Sequence, residues 1–275
     1  HDRHVHAAQG RFAPFPCGAR LRLYAGAQGW VAPADATAHW AAIASANWRA
    51  TAACAAALLQ GGAGLLVDIG TTTTDLIALA DGQVRALALD DAGRLVSGEL
   101  VYQGVVRTPL CAVAKRLPFA GRPHRVMNEW FATSADVHRL LGTLRPEHDL
   151  YPSADSGPKD DAGTCRRLAR MIGLDGRDAT LEAWRAAATA WAEAQLDEIE
   201  AAAHEVMAAT GLSGDAPLVT AGCGAFLAEA LAHRLDRPVR RFAELAAPGA
   251  PAPLADAVQV GAPAVAVAAL WPTDG

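Results

Sequence analysis

Lysine is almost missing from this chain of 275 residues: Lys115 and Lys159 stand alone among the cationic side chains against many arginines. Surplus positive charge is missing too, since the formal net charge is −5. Non-specific nucleic-acid binding needs clustered excess positive charge, so no nucleic-acid partner is expected. No uninterrupted apolar run reaches the roughly 18 residues a membrane span requires. The alanine-rich stretch 50–59 is too short and too weakly hydrophobic, and no membrane partner is expected. The five cysteines (Cys17, Cys54, Cys111, Cys165 and Cys223) are odd in number and scattered, with no CxxC pair. They frame neither a disulfide scaffold nor a zinc site, and a reducing cytoplasm is the simplest home. His1, His4 and His6 form a local polar stretch and not a ligand set. The chain opens on His, without Met and without a signal peptide, which leads us to expect an absent upstream segment.

What is present is an excess of alanine and arginine, a bias of the kind a GC-rich genome produces, and one informative stretch. In LLVDIGTTTTDLI (65–77), an apolar run meets Asp68 and Gly70, passes Thr71 to Thr74, and resumes as a β-branched run after Asp75. Apolar runs flanking a Gly and hydroxyl turn predict a β-hairpin whose tip offers backbone N–H groups and short hydroxyls to a phosphate. Asp68, at the end of the first strand, suits a hard cation such as Mg²⁺. No Gly-Lys-Thr opens a helix, so this is not a P-loop. The duller alternative is a Thr-rich hairpin with an ordinary Asp at its turn.

A second glycine turn lies in VTAGCGAFL (219–227), where a strand led by Pro217 reaches Gly222 and Gly224 before a helix carrying Leu227 and Leu231. Glycines admit a ligand where a Cβ would block it. A third element, Gln259-Val260-Gly261-Ala262, runs into a small-residue helix through Leu270. Together the DxGxxTTD hairpin, the Gly-x-Gly turn and the final helix resemble the hydantoinase/oxoprolinase-like branch of the sugar kinase, Hsp70 and actin superfamily. The resemblance implies an α/β actin-like fold with a central cleft. Its walls would be the phosphate hairpin and the Gly222 turn. It further implies 1–62 as the remainder of a first domain, 63–255 as the second, and 256–275 as a closing helix. Relatives carry an earlier Asp-x-Gly-Gly hairpin, and none occurs before residue 60, so part of the first domain is expected to be missing.

Coarse periodicity predicts a hairpin over 20–33 with its turn at 26–29, and a long helix from Asp35 to about Leu59. After the phosphate hairpin, Asp81-Gly82 turns into a strand at 83–89, and 99–108 reads as a strand ending at Pro109. Helices are expected at 131–142, 159–172, 179–210 and 224–234, with a Pro/Ala loop at 246–255. Strands mixed with longer helical stretches place the chain in the α/β class.

Four segments, SANWRATA (45–52), RLVSGELVYQGVVRTP (94–109), EWFATSADVHRLLG (129–142) and SADSGPKDDAGTCRRLARMIG (153–173), are similar to proteins of tetrahydromethanopterin-linked one-carbon metabolism. The likeness covers about 20–270. Its methanogen members join an aminomethylfuran diphosphate to a tyramine-derived phenol in methanofuran assembly. The resemblance therefore implies a transferase with a diphosphate leaving group, small-molecule substrates, and Mg²⁺ as cofactor. A homo-oligomer is compatible with the sequence.

The residues suit such chemistry. Losing diphosphate needs its charge neutralised by a metal on Asp68 and by donors at Gly70, Thr71, Thr72 and Thr73. Arg107 and Lys159 are the expected cations. Glu99, Asp136 and Asp155 are candidate bases for the phenol proton, and Asn47, Thr108, Gly222 and Gly224 are candidates for the cleft lining. Each has a duller alternative. These are Glu99 as a solvated acid, Arg107 as a surface cation, Asp136 as a partner of Arg139 or part of a helix-start signal, and Asp155 as one acid of a polar loop. For Asn47 and Trp48 the alternatives are an internal polar contact and a core ring. Two other classes stay open: an ATP-dependent kinase or hydantoinase/oxoprolinase-type hydrolase, and a non-catalytic nucleotide-binding regulator.

Overall fold

The structure, a computed structural model, describes residues 21–44 and 46–272. A short antiparallel pair, β1 (Leu23–Tyr24) and β2 (Trp30–Val31), precedes α1 (Trp40–Ala44) and α2 (Ala46–Leu58). The predicted hairpin follows as β3 (Gly64–Ile69) and β4 (Thr74–Ala80), with β5 (Gln83–Val84), α3 (Asp91–Ser97) and β6 (Leu100–Val101) after it. Next come α4 (Leu110–Val113), a second hairpin of β7 (Arg116–Phe119) and β8 (Arg122–Arg125), then α5 (Ser134–Leu140), α6 (Asp161–Arg170) and α7 (Leu181–Thr210). The chain continues through β9 (Leu218–Ala221), α8 (Ala225–Arg234), β10 (Val239–Arg241), α9 (Phe242–Ala246), α10 (Ala252–Val260) and α11 (Ala262–Ala269).

One mixed sheet of order β10-β9-β3-β4-β5 organises these elements, with β6 also pairing β4. β3 runs antiparallel to β4 and parallel to β9, so the hairpin and the later crossover strand share one central strand. Successive side chains in a strand point to opposite faces. Leu65, Val67 and Ile69 accordingly pack with Leu76 and Ala78 against Leu196, Ile199 and Val206 of α7 and Leu227 and Leu231 of α8. Leu66, Ile77 and Leu79 fill the other face with Trp48 and Ala52 of α2, Phe242 of α9 and Ala262 and Ala266 of α11. A third core joins Leu117 and Phe119 to Leu168, Trp184 and Trp191. α7, about 45 Å long at 1.5 Å per residue, therefore links two cores.

That two-face arrangement fixes the site. Asp68 has the parity of Leu66 and Asp75 the parity of Ile77, so both carboxylates stand on the α2 and α11 face. Cross-strand register pairs Asp68 with Asp75 directly.

Several expected elements differ in extent. The helix drawn from Asp35 starts at Trp40, because Pro33–Asp35 forms a 3₁₀ turn. The strand expected over 83–89 stops at Val84, since the Leu87 and Ala88 N–H groups go to the Glu99 carboxylate at 2.8 and 2.9 Å. The strand expected over 99–108 is confined to Leu100–Val101 because Val105, Val106 and Arg107 donate to the tip of the first hairpin. The loop expected over 246–255 holds at 247–251 and gives way to α10 from Ala252, just after Pro251. Prolines in a first helical turn cost no hydrogen bond, and they disguised this helix. No single helix among the described residues is long and apolar enough to cross a membrane, although α10 and α11, bent by 90°, pass together on length and composition alone. Cys17 and His1, His4 and His6 lie outside the described residues.

Candidate functional site

The hairpin tip is held from behind. Gly70 donates to Thr73 O at 2.9 Å, while Val105 donates to Gly70 O and Val106 and Arg107 donate to Thr71 O at 3.1, 3.2 and 2.8 Å. With the Gly70 and Thr71 carbonyls occupied, the N–H groups of Thr71, Thr72 and Thr73 donate to no oxygen among the described residues. The Gly104 backbone lies so close that an added Cβ would sit 2.4 Å from Thr72 N and 2.5 Å from Thr71 C.

Beside the tip is a cavity of about 330 Å³. The hairpin contributes Asp68, Gly70, Thr71 and Asp75, and α2 contributes Asn47. Gly222 and Cys223 line it from the turn after β9, and Glu147, His148 and Leu150 from the loop after α5, with Val260 and Pro263 at the α10 to α11 bend. Gly222 has φ +84°, and a Cβ there would meet Ile69 O at 2.2 Å and Asp68 Oδ1 at 2.6 Å. Gly224 packs behind this turn, where a Cβ would fall 2.4 Å from Ile69 Cγ2. The closing segment is tied in: Gly222 donates to Gln259 O at 2.9 Å, and the Gln259 amide donates to Thr220 O at 2.6 Å.

The two acids differ in partners. Burial pushes the Asp68 carboxyl up to about 7, and the facing Asp75 adds to the rise. Asp75 is also raised by burial, but the Arg94 guanidinium at 2.5 Å pulls against that rise. Arg94 is itself buried, lies 4.2 Å from the centre of the Trp48 ring and donates to Glu99 O. Burial and the neighbouring Asp68 charge push the Cys223 thiol up to about 11.

Of the residues singled out from sequence, Asp68, Gly70, Thr71, Asn47 and Gly222 meet at the cavity. Arg107 is exposed beside the tip, 3.4 Å from Thr72 Oγ1 and stacked 5.3 Å from the centre of the Tyr151 ring. Thr108 is buried and bonded to Gly104 N and O, so it supports the tip from behind and lines no part of the cavity.

The other candidates lie elsewhere with different tasks, Asp136, Asp155 and Lys159 in one charge network and Glu99 apart from it. Glu99 is fully buried, accepting from Leu87 N, Ala88 N and the Ser97 hydroxyl. Asp136 closes a capping box with Thr133 and binds Arg139 at 2.7 Å and Arg167 at 2.8 Å. Asp155 takes Arg167 at 3.1 Å and Gly157 N at 2.9 Å. Lys159, expected to point into the cleft, instead binds the carboxylate of Asp149 at 2.9 Å, and Asp149 also takes Arg139 at 2.7 Å. None of these lines the cavity.

Sequence reasoning passed over Asp75, Gly104, Glu147 and His148. Asp75 was recoverable from strand pairing across the tip, whereas Gly104, Glu147 and His148 reach the site only through tertiary packing. Among the described residues no group of three or more His, Cys, Asp or Glu side chains is placed to hold a metal.

Fold and site define a mixed α/β protein in which a Gly/Thr hairpin and a Gly-Cys-Gly turn enclose a cavity bearing two facing carboxylates. The chain belongs to the hydantoinase/oxoprolinase family, whose model matches residues 17–250. It is 33% identical over 141 residues to a (4-{4-[2-(gamma-L-glutamylamino)ethyl]phenoxymethyl}furan-2-yl)methanamine synthase of Methanocaldococcus jannaschii, a match covering 51% of this chain and 42% of that protein. A synthase of the same name from Methanococcus vannielii is 32% identical over 111 residues, 40% of this chain and 50% of that protein. The matched stretches thus span half or less of those relatives' lengths.

Proposed function

We propose that this chain takes part in forming the aryl ether of a methanofuran-type cofactor, joining a furanylmethyl diphosphate to a tyramine-derived phenol with release of diphosphate. The observation that carries the reading is that Thr71, whose N–H donates to no oxygen among the described residues, lines one cavity with Asp68 and Asp75. The relatives' printed product contains a phenoxymethylfuran, the bond such a reaction makes. In the reaction the phenol loses its proton, its oxygen bonds to the furanylmethyl carbon, and the bond from that carbon to diphosphate breaks with the electron pair leaving on oxygen.

Mg²⁺ fits this donor set. It is commonly held by one or two carboxylates plus substrate phosphates, so a third protein ligand is not required. Asp68 and Asp75 would hold it, and its positive charge favours the ionised form of an Asp68 whose burial otherwise resists ionisation. When bound, the ion offsets charge on the departing diphosphate. The N–H groups of Thr71, Thr72 and Thr73 donate to phosphate oxygens, and Arg107 adds a cation at the rim. His148, which lines the cavity with Asp256 3.6 Å from its Nε2, takes the phenol proton. We keep 1–62, 63–255 and 256–275 as the domain division within this reading. α2, on the earlier side of the first boundary, shares a core with the sheet.

The test is mass spectrometry of a reaction containing a furanylmethyl diphosphate, a tyramine-type phenol and Mg²⁺. A coupled ether with free pyrophosphate supports the reading. Family membership favours a second reading, an ATP-dependent hydrolase built on the same hairpin. Stabilisation by ATP but not by pyrophosphate, with no ether formed, selects it.

A further inference from the structure

Behind the tip lies a buried polar path that the chemistry above does not use. Gln195, in the middle of α7 and 2% exposed, donates through Nε2 to Gly104 O at 3.0 Å. Its Oε1 lies 3.0 Å from Nε2 of His138, on α5. Since Oε1 can only accept, the imidazole carries its proton on Nε2. Nδ1 then lies 3.3 Å from the Thr143 hydroxyl, whose one proton is shared between this nitrogen and His138 O at 3.2 Å. Burial pushes the His138 pKa down to about 4, against a smaller opposing effect of the Gln195 bond, so the ring stays neutral near pH 7. The Phe226 ring of α8 fixes the imidazole edge-on at 5.0 Å.

Gly104 is the point where this path meets the hairpin. Its Cα side abuts the Thr71–Thr72 peptide, and the three following N–H groups hold the Gly70 and Thr71 carbonyls. An amide placed in an otherwise apolar core costs free energy unless both its ends are satisfied, and here both are. Those carbonyl bonds fix the rotation of the Gly70–Thr71 and Thr71–Thr72 peptides and turn the Thr71 and Thr72 N–H groups away from the clamp.

We propose that Gln195 and His138 are positioning residues that preset the hairpin tip for phosphate oxygens by fixing the Gly104 peptide against it. The proposal rests on the phosphate reading of the tip. Gln195→Met removes both hydrogen bonds at nearly constant volume. In the full chain with Mg²⁺, it weakens pyrophosphate binding in calorimetry by about tenfold, the loss of one well-placed bond. It also speeds amide hydrogen exchange at 105–107, whose N–H groups hold the Gly70 and Thr71 carbonyls, while the helices of the sheet core keep their protection. His138→Leu gives the same result, and His138→Gln, whose amide still donates towards Gln195, restores most of the affinity. The His138 pair decides the matter if Gln195→Met fails to fold.

Unchanged affinity and unchanged exchange at 105–107 in Gln195→Met overturn the proposal, as does His138→Gln behaving like His138→Leu. Absence of pyrophosphate binding in the unaltered protein strikes the phosphate reading instead. The exchange comparison then still decides whether the clamp exists.

Discussion

Two clusters of acids sit within one fold and behave in opposite ways. At the hairpin, Asp68 faces Asp75, and among the described residues a single buried cation, Arg94, serves the pair from the Asp75 side. In the loop and helix region, Asp136, Asp149 and Asp155 meet Arg139, Arg167 and Lys159, three acids for three cations. The first cluster keeps an unmet demand for positive charge, and burial raises both carboxyls. In the second, burial would raise Asp149, but the bonds from Arg139 and Lys159 more than offset it and hold it below the usual range. Asp155 is likewise held low, with the Gly157 N–H and Arg167 outweighing burial. A charge cluster that neutralises itself has little left to offer a ligand, whereas one that does not is suited to recruit a cation.

The largest expected effect strikes the balanced cluster. Arg167→Met removes the buried cation that Asp136 and Asp155 share and leaves Asp136 with Arg139 alone, and removing one partner of a buried ion pair costs about 3–5 kcal/mol. Thermal and urea melts should show that loss, and a melting temperature within a degree of the original would remove the structural role assigned to the network. At the hairpin, Asp68→Asn should lower turnover more than about tenfold, a barrier change above roughly 1.4 kcal/mol. Unchanged turnover under saturating Mg²⁺ would end the metal-site assignment.

pH separates the clusters by sign. Asp68 titrates near 7 when folded and near 4 when unfolded, so across that window the native state holds more protons and stability falls as pH rises. Asp68→Asn removes this slope and should stabilise the metal-free protein by at least about 1 kcal/mol at pH 8 relative to pH 5. Asp149 and Asp155 have depressed values, so their contribution is complete above about pH 4 and is lost as pH falls below it. Matched melts from pH 3 to 8 check both signs. The smallest effect belongs to Lys159→Met. Its pair with Asp149 is partly exposed, so stability should drop by less than about 1 kcal/mol, with pyrophosphate binding unchanged.

How much of this was legible depended on sequence distance. Asp68, Gly70 and Thr71 are local to one hairpin, and Gly222 marks a turn whose positive φ demands glycine, so their convergence could be anticipated. Glu99 looked like a free acid before a strand because its acceptors' task, capping the Leu87 and Ala88 N–H groups, depends on a chain reversal that no period reveals. Asp136 and Lys159 were ambiguous for the same reason: Arg167 is 31 residues from Asp136, and the Asp149 that holds Lys159 is 10 residues away. The hairpin of β7 and β8 was hidden by Pro118 and Pro123, which disfavour strand, although Ala120 and Gly121 supply the two positive φ values a tight turn needs.

The most direct test of the contrast is the shift in melting temperature on adding pyrophosphate, with and without Mg²⁺, for the unaltered protein, Asp68→Asn and Lys159→Met. The account predicts a Mg²⁺-dependent rise in the unaltered protein and in Lys159→Met, and none in Asp68→Asn. A rise that survives Asp68→Asn but disappears in Lys159→Met would place the anion at the balanced cluster and contradict it.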